Sequence, residues 1–173
     1  MHMHNCEHHS PSEYSIKTFL PLIIILSVII GFTIARRMIY GWQLKDAMND
    51  FMGIFFIVFS LFKIYNLHGF AQAYSTYDII AKRSTVYAYA YPFIELSLGI
   101  SYLFGLYPIA TNVVTFVLMT IGAIGVGIEL AQGNHITCAC LGAVFKIPMT
   151  YVTLLEDLTM AFMASIMLIF NLR

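Results

Sequence analysis

The sequence has few charged residues. Only 10% of its 173 residues are Asp, Glu, Lys or Arg, whereas 60% are hydrophobic; soluble domains carry about 25% charged residues. The nine basic residues balance the nine acidic residues and form no cluster, which argues against nucleic acid as a partner. A chain of this length lacks the interior volume to bury so much apolar surface. The composition therefore excludes an ordinary soluble enzyme and a disordered chain, and it predicts an integral membrane protein.

Cysteine is also scarce, and the common catalytic motifs are missing. Three cysteines in a chain of this length exclude a small secreted domain held together by disulfides. The sequence contains no phosphate-binding loop, no Ser-His-Asp set and no metalloprotease motif. If the protein is an enzyme, its chemistry is therefore expected to depend on thiols or on a bound metal ion.

Five apolar runs are each long enough to cross a membrane as a helix. They cover approximately residues 19–35, 50–67, 87–106, 109–131 and 149–170. Tyr107 and Pro108 leave room only for a tight turn between the third and fourth runs, and the polar segment 68–86 is expected to be a loop. The sequence thus predicts an all-α integral membrane protein with three parts: a tail (1–17), a leading transmembrane helix (18–37) and a four-helix membrane bundle (48–171).

The sidedness of the membrane protein follows from an odd number of spans. The N-terminal tail, the segment 68–86 and the loop after the fourth run then lie on one side, and the basic residues are divided almost evenly between the two sides. Arg36 and Arg37 directly follow the first run, and basic residues are enriched on the cytoplasmic side of a membrane. They therefore favour an orientation in which their own side faces the cytoplasm. The tail and the later loop would then face the periplasm of a bacterial-type inner membrane. Near Arg36, we expect Asp46 and Asp50 to be solvated or to cap a helix.

Ionisable residues inside apolar runs cost at least about 2.5 kcal/mol each on insertion scales, so they are functional candidates. Counting 1.5 Å per residue places five of them in the same half of the membrane: Lys63, Glu95, Glu129, Glu156 and Asp157. A purely structural interpretation is that Lys63 pairs with a carboxylate and holds the helices together. A functional interpretation is a polar site beneath the loop that follows the fourth run.

Two further expectations concern the last run and the tyrosines. Glu156 and Asp157 are neighbours on a helix and point about 100° apart, so we do not expect both to face one partner. The tyrosines between residues 74 and 91, together with Tyr102 and Tyr107, fit aromatic belts at the membrane interface.

Cys138 and Cys140 lie one residue apart in the loop after the fourth run. Glycine and asparagine precede this pair and Leu-Gly follows it, which is typical of a turn. Two thiols at this spacing can close a small, strained disulfide, and strained disulfides are the oxidising, labile ones. The same two sulfurs can instead bind a soft ion such as Cu(I). A third interpretation is that the cysteines have no chemical role.

The first nine residues are rich in potential metal ligands. Imidazole and thiolate together suit copper or zinc, and a further histidine lies in the cysteine loop, so the candidate ligands are His2, His4, Cys6, His8, His9 and His135. An expression tag is the alternative, but the alternating His-Met-His and the internal cysteine do not resemble one.

The stretch from Met48 to Gly105 resembles the DoxX-like superfamily of four-helix membrane proteins. The similar positions are Phe51, Gly53, Phe59, Lys63, Gly69, Phe70, Tyr77, Asp78, Ala81, Lys82, Pro92, Glu95 and Gly99. The later Cys-x-Cys-Leu-Gly is similar to the cysteine loop of the methylamine utilisation protein MauE branch of that superfamily.

This resemblance implies a redox-associated membrane protein. MauE proteins are linked to the processing, transport or maturation of the disulfide-rich small (beta) subunit of methylamine dehydrogenase, and DoxX relatives are linked to quinone-coupled sulfur oxidation. By this resemblance Cys138 and Cys140 are the redox pair, whereas Lys63 and Glu95 belong to the interior of the bundle. The leading helix and the tail lie outside the region of resemblance.

Three hypotheses follow for the function. The first is thiol–disulfide handling by Cys138 and Cys140, with a thioredoxin-like or cysteine-rich client protein as partner and with quinone coupling left open. The second is binding or transfer of copper or another soft metal by the tail and the cysteine pair. The third is a non-catalytic membrane scaffold whose only partners are lipids and other subunits.

Overall fold

The computed structural model describes residues 16–132 and 150–172 of the chain, and within these ranges the chain forms six helices. In chain order they are α1 (Ile16–Tyr40), α2 (Leu44–Tyr65), α3 (Leu67–Tyr74), α4 (Thr85–Phe104), α5 (Pro108–Ala131) and α6 (Thr150–Leu172). The described ranges contain no β-strand, so the predicted all-α class is confirmed.

Four of the helices have the length and composition needed to cross a membrane: Leu20–Tyr40, Leu44–Tyr65, Pro108–Ala131 and Thr153–Leu172. The protein is therefore an integral membrane protein with several spans. The third predicted span corresponds to α4, which has 20 residues and is about 30 Å long, but it is not among these four. Its tyrosines, Pro92 and Glu95 lower its hydropathy. The crossing by α4, and the sidedness derived from five spans, stay predictions.

The segment between α2 and α4 is partly helical. The side chain of Asn66 accepts a hydrogen bond from the backbone N–H of Gly69 at 3.1 Å and caps α3. Phe70 and Tyr74, one turn apart on α3, are both buried and their rings stack. The prediction of a loop over residues 68–86 is therefore wrong for its first part, because a capped turn with two buried aromatic side chains favours a helix.

The tight turn predicted between the third and fourth runs is confirmed. α4 ends at Gly105, whose φ of 64° is left-handed, and Tyr107 also has a positive φ of 45°. The N–H of Leu106 returns to the carbonyl of Ser101 at 2.9 Å, which closes the helix end. Pro108 then occupies the first turn of α5, where its missing N–H costs no hydrogen bond.

The helices pack mainly as two pairs, α2 with α4 and α5 with α6. At Gly99 of α4, an added Cβ would lie 2.9 Å from the carbonyl oxygen of Gly53 on α2 and 3.0 Å from the backbone nitrogen of Ile57. Only a residue without a side chain allows the two backbones to approach so closely. Glycine at this position therefore sets the spacing of the helices that carry Lys63 and Glu95.

The leading helix α1 packs against α2 and is held there by an ion-pair cluster. Arg37 Nε lies 2.8 Å from Asp50 Oδ2, and Arg36 Nη1 lies 3.1 Å from Asp50 Oδ1. The expectation that Asp50 is solvated is wrong, since α1 buries it and supplies two guanidinium groups. Asp46 remains half exposed while it pairs with Arg37 at 3.2 Å. Because these arginines neutralise acidic residues of α2, they are a weak guide to the cytoplasmic side.

The tyrosines divide into two groups. Tyr107 is exposed, as expected for a membrane-interface belt, but Tyr74, Tyr77, Tyr91 and Tyr102 are buried. The belt assignment is therefore wrong for these four. Their rings fill the space among the helices, and the hydroxyl of Tyr102 donates to the side-chain oxygen of Asn112 at 2.9 Å.

Candidate functional site

Lys63 of α2 and Glu95 of α4 form the centre of the candidate site. Lys63 Nζ donates to both carboxylate oxygens of Glu95, at 2.6 Å and 2.5 Å, and the two residues are only 7% and 3% exposed. The ammonium also lies 5.1 Å from the ring centroid of Tyr91 and 5.5 Å from that of Phe70. The aromatic faces add cation–π attraction to a buried, two-pronged ion pair. The predicted pairing of Lys63 with a carboxylate is thus present.

A small cavity of about 30 Å³ adjoins this pair. A cavity needs about 10–15 Å³ to hold one water molecule, so this one has room for about two. Helices α2 to α6 and the segment after α3 all contribute to its wall, and its polar lining consists of Lys63, Tyr74, Tyr77, Tyr91, Glu95, Thr153, Glu156 and Asp157. The convergence of polar groups predicted from helix depth therefore occurs in the folded protein.

Glu156 and Asp157 both line this cavity, although we did not expect the two neighbours to face one partner. Asp157 lies against α5, where an added Cβ at Gly122 would be 2.9 Å from its Oδ2. The Oε1 atom of Glu156 is shielded from solvent and has no hydrogen-bond partner in the described part of the chain. Both side chains therefore reach one cavity, although they are neighbours on α6.

Glu129 does not belong to the lining of the cavity. It lies at the end of α5, where its carboxylate accepts a hydrogen bond from Lys82 Nζ of the segment that precedes α4. Of the five ionisable residues predicted to converge, four therefore surround the cavity. The fifth instead ties the segment before α4 to the end of α5.

The segment between α3 and α4 covers one side of the cavity. The Asp78 side chain is fully buried, and its Oδ1 accepts from the backbone N–H groups of Ile80 and Ala81 at 2.9 Å and 2.8 Å. This segment presses on α5, because an added Cβ at Gly125 would lie 2.7 Å from the carbonyl oxygen of Tyr77. The tight contact keeps the Tyr77 ring in the cavity wall.

The pKa values of Tyr74 and Tyr77, which lie just outside the spanning helices, are shifted in the same direction. Burial raises the pKa of both phenols well above 10, and the nearby carboxylates raise it further. Both hydroxyl groups are therefore protonated at physiological pH and available as hydrogen-bond donors. The sequence assigns both tyrosines to a membrane-interface belt and marks Tyr77 also through the family resemblance, because no periodic pattern distinguishes a buried tyrosine from an interfacial one.

The predicted thiol and metal residues lie outside the described residues. Cys138, Cys140 and His135 belong to residues 133–149, and His2, His4, Cys6, His8 and His9 belong to residues 1–15. Residues 16–132 and 150–172 contain no group of three or more His, Cys, Asp or Glu side chains arranged to hold a metal ion. The thiol and metal assignments thus stay predictions.

Comparison with known proteins gives a family for this arrangement. Residues 43–170 match the family described as methylamine utilisation protein MauE, a region that begins just before α2 and extends almost to the end of α6. The leading helix α1 precedes the matched region. No curated protein and no solved structure matches the chain. Because the match spans well over half of the sequence, the chain belongs to the family of the methylamine utilisation protein MauE.

Proposed function

We propose that this protein exchanges thiols and disulfides with a cysteine-rich client protein through Cys138 and Cys140. The observation that carries the proposal is the attachment of their loop, which joins α5 to α6. Within two turns of its start, α6 places Glu156 and Asp157 in the cavity beside the Lys63–Glu95 pair. The loop therefore connects the two helices that form one wall of the cavity with the ionisable residues.

The reach of the loop supports this arrangement. Cys138 follows Gln132 after a few residues, a distance of at most about 20 Å even for an extended chain. Lys82 and Glu129 pair at this same end of α5. A cation near a thiol favours the reactive thiolate, so Lys82 is the described residue best placed to assist the cysteine pair.

The proposed reaction balances without a bound cofactor. A client thiolate attacks one sulfur of the Cys138–Cys140 disulfide, forms a mixed disulfide and releases the other loop sulfur as a thiolate. The second client thiolate then attacks the client sulfur of that mixed disulfide and releases the second loop thiolate. The client has lost two electrons and two protons, and the loop holds a dithiol that a disulfide of a thioredoxin-like protein reoxidises in the same two steps.

The family and the chemistry support a particular client and compartment. The family name associates these proteins with methylamine utilisation, so we favour the disulfide-rich small subunit of methylamine dehydrogenase as the client. Disulfides persist mainly in oxidising compartments, which supports a loop on the periplasmic side of an inner membrane. We propose a protein disulfide as the oxidant; the cavity beside Lys63, of about 30 Å³, is itself far smaller than the roughly 300–1,000 Å³ of small-molecule pockets.

The proposal is tested by alkylation of intact cells with a membrane-impermeant maleimide. A Cys6→Ser background leaves only the loop pair, and we expect a mass shift only when the cells are first treated with a reductant. In the matched variant that also carries Cys140→Ser, Cys138 cannot close the loop disulfide. We expect its thiolate to attack a disulfide of the oxidised client, release one client thiolate and so hold the client as a mixed disulfide. A non-reducing gel detects this species as a band that reductant removes.

Two outcomes would overturn the proposal. Labelling of the wild-type loop without reduction, increased further by a copper chelator, would indicate metal binding by the cysteine pair. Normal client maturation in the variants with Cys138→Ser or Cys140→Ser would indicate a scaffold whose cysteines have no chemical role.

A further inference from the structure

The cavity contains more acidic groups than basic ones. Its lining holds three carboxyl groups, those of Glu95, Glu156 and Asp157, and one ammonium group, that of Lys63. The two-pronged pair of Lys63 with Glu95 is neutral as a unit. Glu156 and Asp157 therefore remain without a counter-charge of their own in this cavity.

Among the described residues, no other element packed on the cavity supplies a positive charge. The titratable groups that α2, α3, α4 and the segment after α3 present towards Glu156 and Asp157 are Lys63, Tyr74, Tyr77, Asp78, Tyr91 and Glu95. Helix α5 presents Met119 and Gly122, which carry no charge. The phenols are neutral, the Lys63–Glu95 pair is neutral as a unit, and Asp78 is a further acidic group, so these surroundings disfavour two ionised carboxylates. Two carboxyl groups that share such a site each disfavour the ionised form of the other.

Unpaired polar atoms at the cavity indicate that it is occupied. The Oε1 atom of Glu156 and the hydroxyl of Tyr74 are both shielded from solvent, and the described residues offer neither of them a hydrogen bond of standard geometry. Tyr74 is only 4% exposed. Buried polar groups in proteins are paired in the great majority of cases, often by ordered water. The cavity has both the volume and the polar atoms that one or two water molecules require.

We propose that this cavity is a proton-binding site, in which Glu156 and Asp157 share at least one proton and internal water hydrogen-bonds to Glu156 and Tyr74. The proton is the ligand that neutralises the excess negative charge within the available space. The site does not depend on the thiol chemistry proposed above, since it lies wholly within the described helices. It makes α6, the helix that follows the cysteine loop, sensitive to proton uptake.

Infrared spectroscopy of the purified full-length protein in lipid nanodiscs tests this proposal. A protonated carboxyl group gives a C=O stretching band that a carboxylate lacks and that shifts on exchange into D₂O. We expect this band in the wild type at neutral pH, its reduction in Glu156→Gln and Asp157→Asn, and its loss in the double variant. Glu129→Gln is the matched control, because Glu129 is paired with Lys82 away from the cavity, and it should leave the band unchanged.

The wild-type spectrum alone can overturn the proposal, whether or not the variants fold. The absence of a carboxylic acid band at neutral pH would mean that both groups are ionised and that the cavity binds no proton. Persistence of the full band in the double variant would place the proton elsewhere. Gly122→Ala gives a further test that removes no ionisable group. Its Cβ would meet Asp157 Oδ2 at 2.9 Å, so we expect the band to shift in frequency.

Discussion

Replacement of Lys63 by methionine is expected to destabilise the protein strongly. The ammonium is buried and donates to both oxygens of Glu95, so Lys63→Met leaves a buried carboxylate beside Glu156 and Asp157 without its cation. Breaking a buried ion pair by removal of one partner costs about 3–5 kcal/mol. At about 1.4 kcal/mol per factor of ten, the ratio of folded to unfolded protein should fall by roughly two to three and a half orders of magnitude.

The same reasoning predicts the pH dependence and the effect of the double variant. In Lys63→Met the folded state gains when Glu95 takes up a proton, so folded protein binds more protons than unfolded protein. The stability of this variant should therefore rise as the pH falls, by up to about 1.4 kcal/mol per pH unit for one proton. In Lys63→Met/Glu95→Met both charges are gone and the volumes are similar, so most of the lost stability should return.

The assay is reversible unfolding in mixed micelles, with the helical circular dichroism signal as the readout. Lys82→Met is the matched control, because Lys82 also pairs with a glutamate but its side chain is 42% exposed. Lys82 is solvated, whereas Glu129 is only 8% exposed. Loss of this pair should therefore cost more than a fully exposed pair, which is worth about 0–1 kcal/mol, but less than loss of the buried Lys63–Glu95 pair. If Lys63→Met were no less stable than Lys82→Met, or if the double variant were less stable than either single variant, the ion-pair reasoning would be refuted.

Three further predictions concern helix contacts. Gly99→Ala should lower the free energy of unfolding by about 1–3 kcal/mol through overpacking, since its Cβ would meet backbone atoms of α2 at 2.9–3.0 Å; unchanged stability in the same unfolding assay would contradict this. Gly125→Ala should displace the segment between α3 and α4 and speed its amide hydrogen exchange. Gly127→Ala is the control and should not, because no atom lies near its added Cβ. Equal exchange in the two variants would rule out the contact. Asp50→Asn should loosen α1, because it leaves the buried Arg37 without its closest carboxylate, and faster hydrogen exchange confined to α1 would verify it.

The sequence predicts the spanning helices and the depth of the ionisable residues well. Long apolar runs locate α1, α2, α5 and α6, and a rise of 1.5 Å per residue is enough to place Lys63, Glu95, Glu156 and Asp157 at one level. These predictions succeed because they depend on properties of single helices. The depth of a residue in a span requires no knowledge of which helix lies beside it.

The errors arise where a neighbouring helix determines whether a side chain is buried or solvated. Asp50 is predicted to be solvated because its own helix begins near an interface, but α1 covers it with two arginines. Tyr74 and Tyr91 have the composition of a membrane-interface belt, yet they pack on each other with ring centroids 4.5 Å apart inside the bundle. No pattern within one segment reports such contacts between segments, because tyrosine and aspartate suit either environment when a partner is supplied.

The position of the cavity follows from how α2 is fixed to its neighbours. Asp50 ties one end of α2 to α1, and Lys63, about 20 Å further along the helix axis, ties the other end to α4. α5 packs mainly on α6, and this second pair meets the first through much smaller contacts. The polar cavity lies where these two helix pairs meet. Its ionisable groups therefore come both from α2 and α4, which the Lys63–Glu95 ion pair connects, and from α6, which the cysteine loop connects to α5. A change in the loop that shifted α6 would therefore first alter the surroundings of Glu156 and Asp157, because they are the charged groups that α6 contributes to this junction.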